Sequence, residues 1–353
     1  MKLKNIRSTV FTSALLFMGI LSLESCSSSG SDSDAENDDL DNSVSVDVEP
    51  SYFYTEGQTI TITKVPCTLS DGSSSDCYQI VTTSIPADHN MGPWCPSNIE
   101  DGADAGGIWL QDGEVYDVDG AFIKNMATFY NDDNWMMYDD NGDVYITDSE
   151  EDCINAANPD VGTEYENFCV ECIPSYITNI SQTWLIPVTP VYQTDAIYFV
   201  TDGGGAPEAG DAQGPGPGDG AGPELDSSIP STRGIALNGI EFSAPAPTNN
   251  ILSAYTLAPF DDAGGHINVH QGYHYHAATG YSIKVEQEDG HAALIGYALD
   301  GYGIYELLDE SGVMATDLDD LRGHSDETRG YHYHVDEAGN NNFINGLRGA
   351  YVL

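Results

Sequence analysis

The chain has 353 residues, 10 basic against 57 acidic, and a net charge of −47 at neutral pH. So acidic a surface repels phosphate backbones and anionic lipid, which excludes nucleic acid as a partner and leaves membrane attachment to a covalent lipid. The length is enough for one large or two ordinary domains with a real core.

The N-terminus carries an export address. Lys2, Lys4 and Arg7 precede an apolar run from about Val10 to Leu23, which has the length of a signal peptide's apolar stretch and is short for a spanning helix. Leu23-Glu24-Ser25-Cys26 resembles the lipobox of bacterial lipoproteins, with Glu24 as its one departure. The alternative is an ordinary secretory signal with an incidental cysteine. Residues 1–25 are expected to be removed and Cys26 to become the acylated N-terminus. Cleavage takes three of the ten basic residues and one of the 57 acidic ones, leaving a net charge of −49. Residues 26–50, which continue after Cys26 as SSSGSDSDAENDDLDNS, are too polar to bury a core and are expected to form a flexible tether. The segment also resembles the acidic export signal of Bacteroidota surface lipoproteins. The expected location is the outer membrane or cell surface, held by lipid.

A mainly β fold is expected throughout. Over residues 51–201, TITITKV, EVYDVDGAFI and DVYITD combine β-branched and aromatic residues with Asp-Gly and Asn-Gly turn signals. Asp139-Asp140-Asn141-Gly142-Asp143 reads as a hairpin turn, because its glycine is out of register for a calcium loop. Cys67, Cys77, Cys95, Cys153, Cys169 and Cys172 all fall in this region. In an oxidising compartment they predict three disulfides with open pairing. A redox or zinc role for Cys169-x-x-Cys172 is the alternative. Residues 202–228 are Gly/Pro/acidic, a linker between domains or a loop within one.

Residues 229–353 are expected to form a duplicated β module. Residues 260–277 read FDDAGGHINVHQGYHYHA and residues 318–335 read LDDLRGHSDETRGYHYHV. Both contain D-D-x-x-G-H-x5-G-Y-H-Y-H without a gap. GIALNGI at 234–240 and GYALDGY at 296–302 precede them as a second matched pair. This is an internal duplication of a strand–turn–strand element. On an extended strand His274 and His276 share one face, with Tyr273 and Tyr275 on the other. Their Cα atoms then lie about 6.5–7 Å apart, close enough for two imidazoles to meet one metal. The six recurring positions, His266, His274, His276, His324, His332 and His334, are the expected ligands. His270 and His291 break the symmetry and are expected at the surface or behind the ligands. Asp300, Asp319 and Asp320 are candidates for outer support, as ligand or base. A pseudo-twofold pairing is expected to gather both repeats into one shared centre. The bland alternative is alternating Tyr and His that bond locally, with no metal.

These segments resemble the YHYH proteins, a family of exported bacterial proteins. The matching residues are GIALNGI (234–240), GYHYHA (272–277), IGYALDGYGIY (295–305) and RGHSDETRGYHYHV (322–335). The resemblance covers about residues 229–353, with a less specific echo in GGIWLQDGEVYDVDGAFI (106–123). Family members often carry a cysteine three residues before each Gly-His histidine. Here those positions are Ala263 and Leu321, which leaves histidine and carboxylate as ligands. The resemblance implies the module and no particular reaction.

The function expected is binding of a transition metal, with copper or zinc suited to imidazole. A metal-dependent hydrolase or oxidase at the same site is the second reading, and an adhesion or glycan-binding module without metal the third. No nucleophile motif supports the enzyme: Ser325 lies between His324 and Asp326, but neighbours in sequence point apart and no G-x-S-x-G elbow exists.

Overall fold

The computed structural model describes residues 44–56, 59–156, 162–199 and 231–352. The expected signal segment, Cys26, most of the expected tether and the 202–228 stretch lie outside these described residues. Packing begins before residue 51: Val48 is buried and bonds through its amide to Val188. No helix among the described residues is long and apolar enough to cross a membrane.

The N-terminal region supplies strands β1 (Ile60–Thr68), β2 (Ser74–Thr82), β3 (Ile108–Gln111), β4 (Glu114–Asp117), β5 (Gln182–Pro187) and β6 (Tyr192–Tyr198). β1, β2 and β5 form an antiparallel sheet, and β3 pairs with β4. Two segments expected to be strands differ. GAFIK at 120–124 is a short helix, because Asp119 caps it by accepting from the amide of Phe122 at 2.7 Å. DVYITD contributes only isolated bridges. The Asp139–Asp143 segment is the expected turn, with Asp139 accepting from the amides of Asn141 and Asp143.

Three disulfides join Cys67 to Cys77, Cys95 to Cys169 and Cys153 to Cys172. Cys169 and Cys172 therefore belong to different bridges and form no redox or zinc pair. The Cys95–Cys169 bridge closes 74 residues, enough to remove about 4 kcal/mol of chain entropy from the unfolded state.

The C-terminal region forms β7 (Gly234–Ala236), β8 (Glu241–Phe242), β9 (Gly265–Asn268), β10 (Gly272–Tyr275), β11 (Leu294–Ala298), β12 (Gly303–Tyr305), β13 (Gly323–Asp326), β14 (Gly330–His334) and β15 (Gly346–Gly349). β15 pairs with β6, and the other eight form one sheet in the order β13-β14-β12-β11-β7-β8-β10-β9. The duplication folds about a pseudo-twofold axis normal to this sheet. At the centre β7 and β11 pair antiparallel through Gly234↔Ala298, Ile235↔Tyr297 and Ala236↔Gly296, a register that maps onto itself when the repeats are exchanged. The matched glycines permit this contact: a Cβ on Gly234 or on Gly296 would lie 2.3 Å from the facing carbonyl oxygen.

The two regions share a core. Trp94, Trp109 and Phe122 pack in one cluster with Tyr273, Tyr275, Tyr331, Tyr333 and Phe343. On the other face of the large sheet, Ile60, Ile80 and Ile186 of the three-stranded sheet cover Ile235, Tyr297 and Tyr305.

Candidate metal centres

Each YHYH motif sits on the inner strand of a hairpin at one end of the large sheet. His274 on β10 faces His266 on β9 across an antiparallel pair, and His332 on β14 faces His324 on β13 in the same way. The Gly-His histidines therefore oppose their YHYH partners directly. Their glycines make room for a tyrosine ring: a Cβ on Gly265 would lie 2.6 Å from the Tyr273 hydroxyl, and one on Gly323 would lie 2.1 Å from that of Tyr331.

The tyrosines point away from the histidines, as the strand period requires. Tyr273 donates to Asp261 at 2.8 Å and Tyr331 to Asp319 at 2.9 Å. Tyr333 donates to Asp300 at 2.6 Å, while the matched Tyr275 accepts from Asn238 at 2.8 Å. Burial pushes the Asp300 carboxyl up to about 6. Asp300 and Asp319 thus anchor tyrosines on the far face and do not support the histidines as expected. Asp320 meets Asn345 through its backbone carbonyl and belongs to neither histidine group.

The histidines form two groups, His266 with His274 and His276, and His324 with His332, His334 and His291. One shared centre was expected, and the sheet order excludes it. Four strands separate β10 from β14, roughly 24 Å at the usual strand spacing. Cross-strand partners run from His274 through Glu241, Ile235 and Tyr297 to β12, and from Tyr305 to His334. Both groups therefore lie on one face, with the β1-β2-β5 sheet packed between them.

His291 corrects a second expectation. It lies in the loop before β11, and its Nε2 is 3.0 Å from that of His332. The second group therefore has four imidazoles. His270 is exposed, as expected, and His89 stays apart, its Nδ1 3.0 Å from Asp88.

Local bonds orient the rings. Nδ1 of His274 bonds the carbonyl of Gly272 (3.0 Å), and that of His332 the carbonyl of Gly330 (2.9 Å). His276 and His334 bond the carbonyls of Ala244 and Glu306, and His291 that of Ala292. His266 bonds the backbone carbonyls of Ala258 and Pro259, while the matched His324 gives its Nδ1 to the Asp317 carboxylate at 2.9 Å. A carbonyl or carboxylate can only accept, so in these bonds Nδ1 is the donor. In a neutral ring the Nε2 then carries a bare lone pair.

These lone pairs face each other. The Nε2 atoms of His266 and His276 are 3.2 Å apart, and so are those of His324 and His334. Two bare lone pairs at that distance repel unless a cation lies between them. A tetrahedral ion with metal–nitrogen bonds of about 2.0–2.1 Å holds its ligand nitrogens about 3.3 Å apart. The spacing and the ring orientation both fit such an ion. Burial drives the protonated forms down: His274 to about 4, His334 to about 4 and His332 to about 3. For His266 and His276 burial, followed by the neighbouring imidazoles, lowers the pKa well below the ordinary value. These five rings are therefore neutral, the form that coordinates, at physiological pH.

The surroundings of the groups differ. Over the first, the fully buried Phe260 packs 4.9 Å from His266 and 5.2 Å from His276, ring centre to ring centre. Phe260 is itself held by backbone bonds to Ile108 of β3. The matched position in the second repeat is the partly exposed Leu318, and that group borders a surface cleft lined by His291, His324 and His334. Sequence reasoning missed Phe260, Asp317 and His291; the histidine content of the Asp289–Ala292 loop was the only available signal for the last.

The family model described as YHYH protein matches residues 222–311. That span holds the first histidine group and His291 and ends before the second YHYH. No curated protein and no solved structure matches the chain. With the family match over the first repeat and its hairpin geometry recurring in the second, this chain carries a YHYH domain.

Proposed function

We propose that the chain is a surface-anchored lipoprotein whose two histidine groups each hold one transition-metal ion, copper or zinc, for capture or storage. The observation that carries this reading is the set of seven imidazoles whose Nδ1 or backbone-bonded side is occupied while their free nitrogens converge. Hydrogen bonding alone would satisfy such rings without driving lone pairs together. Imidazole donors suit zinc and copper, and nothing in the donor set adds the thiolate that would narrow the choice.

Elemental analysis of the purified chain, refolded or expressed with zinc or copper supplied, should find two ions per molecule. Retention of no metal by a folded chain would return the histidines to a packing role and favour the adhesion reading. The anchor has its own test. Cys26→Ser should move the protein from the membrane fraction to the soluble exported fraction, since the acyl chains on Cys26 would be what holds it. A Cys26→Ser variant that stays with the membrane would rule out the lipobox.

A further inference from the structure

We infer that the two centres are kinetically unequal: the second repeat's centre exchanges its ion through the cleft, with His291 as its releasable ligand, while the first retains its ion. The inference rests on the metal-binding reading above and goes beyond it by assigning different tasks to matched sites.

Three histidines of the second centre match the first residue for residue. The fourth does not. His291 comes from the loop following Gly290 rather than from the hairpin, and at the matched position, 229, the first repeat has isoleucine. The loop is tied to the hairpin turn by Arg329, which binds Asp326 and, at 2.5 Å, Asp289. Apart from that tether His291 is held by its loop and not by sheet pairing, and can leave the ion by a loop movement, whereas His324, His332 and His334 are fixed by sheet pairing.

The charged groups at the approach to the second centre are net acidic. Asp289, Asp309 and Asp326 line the cleft with Arg329, whose charge is already matched by two of them. Such a lining concentrates cations at the mouth. The imidazoles of His291, His324 and His334 in its lining distinguish it from an ordinary acidic surface. In the first centre an apolar ring occupies the corresponding side. Phe260 contacts two of the three histidines and is held by Ile108, so that side of an ion there is covered, and only His266 of the three is partly exposed.

Zinc release from the loaded wild-type chain into an excess of a chromogenic chelator tests this. Two phases of equal amplitude are expected, the faster belonging to the second repeat. His291→Gln should accelerate the fast phase by roughly tenfold or more, since a lost ligand acts mainly on dissociation, and leave the slow phase unchanged. His324→Gln, at a partly exposed position, should remove the fast phase alone. Histidine carbethoxylation of the wild type, mapped by mass spectrometry during release, should label His291 and His324 before His266, and needs no variant to fold. A single phase, a slow phase that disappears with His324→Gln, or first labelling at His266 would overturn the inequality. A chain that binds no zinc at all would instead overturn the metal-binding reading itself.

Discussion

Replacing His332 and His334 with alanine should remove one of two bound ions and leave the affinity of the other unchanged, and His274→Ala/His276→Ala should do the same for the opposite centre. The groups sit about 24 Å apart across four strands, and sites so far apart with no shared ligand act additively. Each double replacement leaves its own centre with one hairpin imidazole, or with two where His291 also contributes, too few for tight binding. The loss should appear in stability as well. An ion at a thousand times its dissociation constant stabilises the fold by about 4 kcal/mol, so each variant should forfeit about that much of the metal-dependent increment. Titration of zinc or copper(II) into the wild type and both variants, followed by thermal unfolding, gives both quantities. Loss of all binding in either variant would mean that one centre depends on the other.

The metal-free chain should unfold in acid well before its carboxylates alone would require. An unfolded imidazole takes its proton near 6.5. In the fold, burial holds His274 and His334 to about 4 and His332 to about 3. Between those limits the unfolded chain binds more protons than the folded one. Stability therefore falls as pH drops from about 6.5 to about 4, and to about 3 for His332. His274 and His334 each withdraw roughly 3 kcal/mol across that window. The buried Asp300 works the other way, since burial raises it to about 6 and the fold gains by protonating it first. Burial raises Glu171, Glu241 and Asp261 as well. Burial lowers His266, His276 and His291 in the same direction as the other three histidines. The withdrawal at His274 and His334 alone, about 6 kcal/mol, is comparable with a domain's whole stability of about 5–15 kcal/mol. Circular dichroism against pH with a chelator present should show a transition between pH 6 and 4. Zinc should displace it downward, because the ion competes with the protons. A metal-free chain still native at pH 3.5 would refute the account.

The position of the histidines was legible because strand geometry is local. The alternation in GYHYH puts His274 and His276 on one face whatever surrounds them, and the recurrence at 58 residues announced a second copy with the same arrangement. The β-rich fold and three disulfides followed from the same kind of reading. The glycine of each Gly-His pair was visible too, though its purpose appears only when a tyrosine ring crosses it.

What only the tertiary structure decided is how the copies meet. A duplicated strand pair can associate through its histidine edges, which would merge the sites, or through the strands that precede them. Here the self-complementary register of Gly234–Ala236 against Gly296–Ala298 makes the second choice, and close backbone contact at those glycines holds it. The hairpins are thereby sent to opposite ends of one sheet, and Ile60, Ile80 and Ile186 fill the space between. His291 and Phe260 were beyond reach for a related reason. His291 acts on His332 from 41 residues away and from outside the matched strings, and Phe260, though inside its string, faces the histidines through packing on Ile108 that no periodicity marks. Sequence determines which face a side chain takes on its own strand; only packing between distant segments decides which other groups share that face.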